Sequence, residues 1–340
     1  MGLIVQKFGG TSVAEPASRE RILQKVAAAR AAGDRPLLVV SAMGRRSASY
    51  ATDTLLDMVP GATPATKDLI VSCGEVISAC LLSAMLESRG IPSKPFTAYT
   101  AGIQADGPFG DASPTGLDGK ALRQALEAGI VPVVTGFQGV LPDGNLATLG
   151  RGGSDTTGVA LGAYLGADYV DIYTDVPGVA MADPRIVPEA PFLPYLDYRS
   201  MVRLAAHGAR VLHDRSAMIA EEKQVSVRVR STFDDGPGTM IGPERSDLPA
   251  PDFLGIAVAK PGNGQARVVA VCKTGKGGLF SQAVLQAVGR PTEAQADPDV
   301  MAFSCTEEEA PELARQLFKA AMAVLSKGSP AADGYTPVSP

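Results

Sequence analysis

The sequence predicts an α/β fold with a mainly parallel central sheet, followed by a small α+β module. Three features lead there. Apolar, strand-like runs alternate with amphipathic helical stretches from residue 3 to about residue 232, the pattern of strands joined by crossover helices. Residues 36–42 form an apolar run typical of a strand buried on both faces. Two glycine-rich stretches, at 9–12 and 150–155, fall at strand C-terminal ends, where such sheets gather ligands. A chain of 340 residues can hold two domains with a full-sized core.

The elements follow in order. Residues 3–7 read as the first strand. A helix is expected around 16–32, where Pro16 suits a first turn and Gly33-Asp34 a stop. The apolar run at 36–42 is the second strand. Residues 67–89 read as a long helix, closed by Gly90 ahead of Ile91-Pro92. Further strands are expected at 96–100, 131–135 and 169–174, and helices near 116–127 and 155–165. Residues 200–206 and 216–222 look helical, and VSVRVR at 225–230 alternates like a half-exposed strand. A turn at 234–238 precedes a polar, proline-bearing linker at 243–252. Strands at 253–259, 267–272 and 300–305 and helices at 278–288 and 307–325 then make the small module. Residues 326–340, rich in Ser, Pro, Gly and Ala, are expected to be a loose tail. The division is therefore 1–242, 243–252, 253–325 and 326–340.

Composition narrows the function. Hydrophobic residues make up 45% and charged residues 20%, ordinary values for a soluble globular protein. A formal net charge of −5 argues against nucleic acid as the main partner. Two histidines and no tryptophan leave little material for a zinc site or a stacking platform, so no metal site of the protein's own side chains is expected. Cys73, Cys80, Cys272 and Cys305 lie in apolar stretches without C-x-x-C spacing and read as buried free thiols of a reducing compartment. No leader pattern is seen and no apolar run is read as approaching 18 residues, so a cytoplasmic protein without membrane association is expected.

The glycine stretches carry the chemistry. Adjacent glycines let backbone N–H groups approach a polyphosphate closely, with hydroxyls and a cation completing the cradle. Neither stretch fits G-x-x-x-x-G-K-[ST], and Lys7 precedes its glycines, which excludes the ordinary P-loop. Lys7 is the best candidate to offset negative charge on a transferred phosphoryl group, with Gly9 and Gly10 as N–H donors. The competing reading of Lys7 is a solvated strand-end lysine.

The run VQKFGGTSV at 5–13 resembles the opening signature of aspartate kinases, and TLGRGGSDT at 148–156 resembles their central signature. Tyr173-Thr174-Asp175-Val176 followed by Ala182-Asp183-Pro184-Arg185 is similar to their nucleotide-site segment. Residues 41–44, 72–75 and 136–139 match in the same order, and 50–56 resembles single-function enzymes of spore-forming bacteria. The resemblance covers residues 3–242 and implies an amino-acid-kinase sandwich. It implies phosphorylation of the L-aspartate side chain by ATP with Mg²⁺, feeding lysine, diaminopimelate, threonine and methionine synthesis. An aspartate side chain ordinarily titrates near pH ~3.9, so as an acceptor it is already ionised and needs no general base.

The resemblance also assigns roles. Lys7 and Asp155 would be catalytic. Lys7, Gly9, Gly10, Ser12, Thr174, Asp175, Asp183 and Arg185 would serve ATP. Ser41, Thr54, Glu75, Arg151, Gly152, Gly153 and Ser154 would serve aspartate, with Arg151 gripping the α-carboxylate through paired N–H bonds and Glu75 meeting the α-ammonium. Plainer readings stand beside these: a surface salt bridge for Arg151, a helix-start carboxylate for Glu75 and for Asp155, and turn formers for Asp175 and Asp183. Ala180 and Met181 depart from the family pattern at the adenine or ribose contacts. His213 reads as structural, and His207 has no partner pattern.

Aspartate kinases usually end in two ACT modules, small βαββαβ ligand-sensing folds, one inserted within the other. Here the inner one reads as deleted, leaving a single reduced ACT-like domain at 253–325. That implies weak or absent inhibition by lysine and threonine, and a module serving homodimerisation or stability. Two rival readings remain: a same-fold kinase for glutamate, a carbamate or a nucleoside monophosphate, and a catalytically silent regulatory subunit. Glu75 with Arg151 argues against the carbamate and the nucleotide.

Overall fold

A computed structural model of the protein describes residues 2–209, 211–262, 264–289, 291–293 and 296–328. The chain forms two compact units, Met1–Pro177 with Arg215–Gly238, and Gly178–Asp214 with Thr239–Pro340. This division differs from a single break at 243–252, because residues 178–214 group with the C-terminal part.

In the first unit the chain runs β1 (Leu3–Phe8), α1 (Gly10–Ala14), α2 (Pro16–Ala31), β2 (Arg35–Val40), α3 (Thr52–Asp57), α4 (Pro64–Ser88) and β3 (Ser93–Phe96). It continues through α5 (Ala98–Ala101), β4 (Ile103–Asp106), β5 (Ser113–Leu117), α6 (Lys120–Glu127), β6 (Val131–Thr135), β7 (Gln138–Val140) and β8 (Leu146–Thr148). Next come α7 (Gly153–Leu165) and β9 (Tyr169–Thr174). In the second unit, β10 (Tyr195–Asp197) and α8 (Tyr198–Ala206) follow. The chain then makes α9 (Asp214–Lys223) and β11 (Val227–Ser231), which belong to the first unit from Arg215 onward. It ends in the second unit with β12 (Thr239–Gly242), β13 (Phe253–Gly262), β14 (Gln265–Cys272), α10 (Gly277–Val288), β15 (Val300–Thr306) and α11 (Ala310–Gly328).

Within the first unit the sheet order is β11-β9-β1-β2-β6-β3, every neighbouring pair parallel. The central strands are buried on both faces, β1 along its whole length and β2 beyond Arg35, as crossover helices require. One core cluster packs Phe8, Ile22, Leu38, Leu82, Leu86, Val133 and Tyr173 between the sheet and α2 and α4. The Phe8 and Tyr173 rings stack 4.7 Å apart. A second sheet, β5-β4-β7-β8, mixes antiparallel and parallel pairs.

Two expected elements are corrected. The strand anticipated at 96–100 ends at Phe96, because Thr97 and Thr100 form a reciprocal capping box that starts α5. The helix anticipated from 116 starts only at Lys120; residues 113–117 instead pair with β4 as an edge strand. The cysteine expectation also changes. Cys272 and Cys305 are buried free thiols, whereas Cys73 and Cys80 are exposed, seven residues apart and so on one face of α4. That helix is long and apolar enough by composition to cross a membrane, with a mean hydropathy of 2.0 over 18 residues, contrary to the reading that no run approaches that length. Half of that window is buried inside the protein, as in a core helix.

In the second unit β10 and β12 pair in parallel, and β13-β14-β15 form an antiparallel sheet. In a βαββαβ module, the first helix leads to a strand parallel to the first. Here the described residues between 289 and 299 form no strand, and β15 pairs directly with β14. The expected tail lies outside the described residues from 329 onward, and α11 covers 326–328.

Candidate active site

The C-terminal end of β1 delivers Lys7 into a cavity of about 480 Å³ in the first unit, within the usual range for ligand sites. Lys7 is largely buried, and its Nζ lies 2.6 Å from Asp155 Oδ1. The solvated reading of Lys7 is thereby set aside. Asp155 stands in the first turn of α7, where a carboxylate is favoured by the helix dipole. The helix-start position expected of it is thus observed, and its ion pair with Lys7 was not anticipated from the sequence. A desolvated pair of this kind contributes little net stability, yet removing one partner costs about 3–5 kcal/mol.

Glu75 lies in mid-α4, not at a helix start, and is 2% exposed. Its Oε1 accepts a hydrogen bond from the Ala42 N–H at 2.9 Å, while its buried Oε2 has no partner among the described residues. Burial pushes its pKa up from 4.5 to about 8 against the lowering effect of the Ala42 bond. A buried carboxyl with one free oxygen on a cavity wall gains most from a cationic partner, which favours its ionised form.

The second glycine stretch forms the opposite chemical pole. Gly150 and Gly152 adopt left-handed backbone, and a Cβ at 150 would sit 2.4 Å from Asp111 Oδ1. The turn they make places Arg151, Gly152, Gly153, Ser154 and Asp155 on the cavity wall. Arg151 is exposed, and no protein partner is found for its guanidinium among the described residues, so the surface salt-bridge reading has no support. One cavity thus holds the Arg151 guanidinium, the buried Glu75 carboxyl and the Lys7–Asp155 pair.

Other expected residues fall around it. Gly10 and Ser41 line the cavity. The Gly9 N–H instead donates to Tyr173 O at 3.3 Å. The Ser12 hydroxyl is fully buried against Thr232 Oγ1 at 2.6 Å. Thr54 accepts from the Ser47 N–H at 3.2 Å, and its neighbours Thr52 and Asp53 form the wall. Thr174 donates to Asp175, which pairs with Arg45 at 2.9 Å on the surface.

In the second unit Asp183 accepts from both the backbone and the side chain of Arg185. Those side-chain bonds hold the Asp183 carboxyl below the usual range. This is the geometry of the turn-former reading. Met181 is buried, its carbonyl accepting from Ile256 N. His213 pairs with its neighbour Asp214, and burial lowers the pKa of His207.

Thr52, Asp53 and Phe137 on the cavity wall lie inside the matching stretches 50–56 and 136–139 without having been named as site residues, and Gly110 lies outside every such stretch. Phe137 has left-handed backbone with φ 71°, a strained state for a bulky residue that marks functional sites. In the sequence it is marked only by its place in the matching stretch 136–139.

Residues 2–231 match the family model described as "Amino acid kinase family". The chain is 43% identical over 245 residues to an aspartokinase of Thermus thermophilus, an alignment covering 71% of this chain and 59% of that protein. It spans about three fifths of the length of that relative. The solved aspartate kinase of Synechocystis is 33% identical, with TM-score 0.62, covering 98% of this chain and 57% of that one. E. coli aspartokinase III, solved with aspartate and ADP, shares the fold at TM-score 0.81 and 22% identity, covering 94% of this chain and 100% of that one.

Proposed function

As the chain belongs to the amino acid kinase family, we propose that it transfers the γ-phosphoryl group of ATP to the side-chain carboxylate of L-aspartate, giving 4-phospho-L-aspartate. The observation that carries this reading is the cavity that holds Arg151, Glu75 and the Lys7–Asp155 pair together. Arg151 binds the substrate α-carboxylate bidentately. Glu75 releases its proton to solvent and accepts the α-ammonium through its free Oε2, the bound cation favouring the ionised carboxylate. The side-chain carboxylate is then left to attack, already ionised and held in line. Lys7 offsets the charge spread over the transferred phosphoryl. Within the first unit, Thr174 and Asp175 are assigned to the nucleotide by the motif they belong to. Relatives named aspartokinase at about two-fifths identity support the choice of acceptor.

Among the described residues no three His, Cys, Asp or Glu side chains cluster as a metal site. Mg²⁺ keeps several waters and binds through phosphates plus one or two carboxylates, so the residues fit an ion that arrives with ATP. Asp155 and Asp53 are carboxylates on the cavity wall that would hold it, and the ion would neutralise developing phosphate charge.

The C-terminal module is read as a single reduced ACT-like domain in a cytoplasmic homodimeric enzyme. Its α10 N-terminal amides at Gly275 and Gly277 are already taken by the Asp299 carboxylate, at 2.8 and 2.7 Å. An amino-acid effector would have to displace that carboxylate, which favours weak or absent inhibition by lysine and threonine.

Hydroxamate trapping of the acyl phosphate tests the whole reading. Aspartate with ATP should give hydroxamate, glutamate should give little, and millimolar lysine should leave the rate unchanged. Turnover of neither amino acid by the purified protein would sink the assignment and favour the silent regulatory subunit.

A further inference from the structure

We infer that Asp68, a buried carboxylate outside the cavity, is a positioning residue that sets the spacing between Glu75 and Arg151. This rests on the acceptor reading above. Asp68 lies on α4 seven residues before Glu75 and is 4% exposed. Its Oδ2 accepts from the Gly110 N–H at 2.8 Å and from the Thr148 N–H at 2.7 Å. Its Oδ1 accepts from the Thr148 hydroxyl at 3.0 Å. One side chain therefore ties α4, which carries Glu75, to two loops. One loop brings Gly110 to the cavity wall, and the other begins at Thr148 and leads into Gly150-Arg151.

The clamp has further members that face the same way. The Leu149 N–H donates to Phe137 O at 2.9 Å. Arg215 donates from one nitrogen to Leu149 O and Ala112 O, and from the other to Asp111 at 2.7 Å. The peptide groups of Thr148 and Leu149, leading into the turn, are held, whereas the Arg151 guanidinium is left free for a ligand. Rigid backbone under a free cation is how a site spends little ordering entropy on binding. Asp68 is the member of this clamp that reaches the helix of Glu75, so it links the two groups proposed to grip the amino acid.

Kinetics of Asp68→Ala and Asp68→Asn test this, with Leu86→Ala as a control for lost stability in the α4 core. Asn keeps an acceptor for the two N–H groups and can donate to Thr148 Oγ1, so it should restore most of the function. Asp68→Ala should raise the KM for aspartate about tenfold or more, with KM for ATP changed less than about twofold. Leu86→Ala should lower Tm without that split. Equal rises in both KM values, or an Asp68→Ala profile matching Leu86→Ala, would overturn the inference. Hydrogen exchange gives an answer independent of turnover. Asp68→Ala should selectively speed exchange at 107–112 and 146–151, and unchanged protection there would overturn the clamp even if aspartate proves not to be the substrate.

Discussion

The two glycine stretches look alike in sequence and are built on opposite plans. The first spends its polar groups on the protein itself: Gly9 N–H on Tyr173 O, Ser12 on Thr232, and the Gly10 carbonyl on Gly44 N–H. Only Lys7 and Gly10 of this stretch reach the cavity. The second is clamped through its backbone and offers Arg151 through Asp155 to the cavity. A glycine pair thus signals close packing of chain on chain in one place and a left-handed turn in the other. The first stretch positions one lysine; the second presents a surface.

The largest effect expected from breaking this contrast is at Lys7. Lys7→Ala removes the charge that meets the transferred phosphoryl and strands Asp155, so kcat should fall about a thousandfold in a coupled ADP assay. A drop of only a few-fold would return Lys7 to a structural role. Next come the two glycines themselves. A Cβ on Gly10 would lie 2.8 Å from Gly44 O and 3.0 Å from Ala42 O, both backbone, so Gly10→Ala should cost about 1–3 kcal/mol by denaturant unfolding. Gly9 has φ −72° and ψ 169°, and its Cβ would meet atoms no nearer than 3.4 Å. Gly9→Ala should stay within about 0.5 kcal/mol. Equal costs would erase the packing account of the first stretch.

The order of strands and helices in the first unit was legible because both-face burial and amphipathic periodicity are local signals. Where a reciprocal side-chain cap overrode a short apolar run, as at Thr97–Thr100, the strand reading failed. The same limit applied at the site. Lys7, Glu75, Arg151 and Asp155 could be named from motif resemblance, since their neighbours in sequence carry the motif. Ser12 and Gly9 could not be resolved that way, because their partners Thr232 and Tyr173 are brought together only by the sheet order β11-β9-β1. Asp68 gave no signal at all, since its function lies in three bonds to residues 42 and 80 positions away.

Glu75 contributes a pH dependence that sharpens the contrast between the poles of the cavity. Its folded pKa, about 8, stands above the ordinary 4.5, so folding takes up a proton between these values. The associated stability is fully present below about pH 4.5 and is lost as pH rises toward about 8. Glu75→Gln removes this loss. The variant should therefore gain Tm over the wild type progressively across that window, with no further gain above it. A constant Tm difference from about pH 4.5 to about pH 8 would show that Glu75 titrates normally.

The smallest effect separates packing from ligation in the first stretch. If the Ser12 hydroxyl meets phosphate, Ser12→Ala should raise the KM for ATP. The geometry favours another outcome, because the hydroxyl is wholly buried on Thr232 Oγ1. Ser12→Ala then leaves the threonine hydroxyl unpaired at a cost of about 1 kcal/mol, with KM for ATP moving less than about twofold. Replacing both partners, in Ser12→Ala with Thr232→Val, exchanges a polar pair for apolar groups and should recover part of the lost stability. A double variant less stable than the sum of the singles would mean that each hydroxyl has a further partner, and the phosphate role for Ser12 would regain its claim.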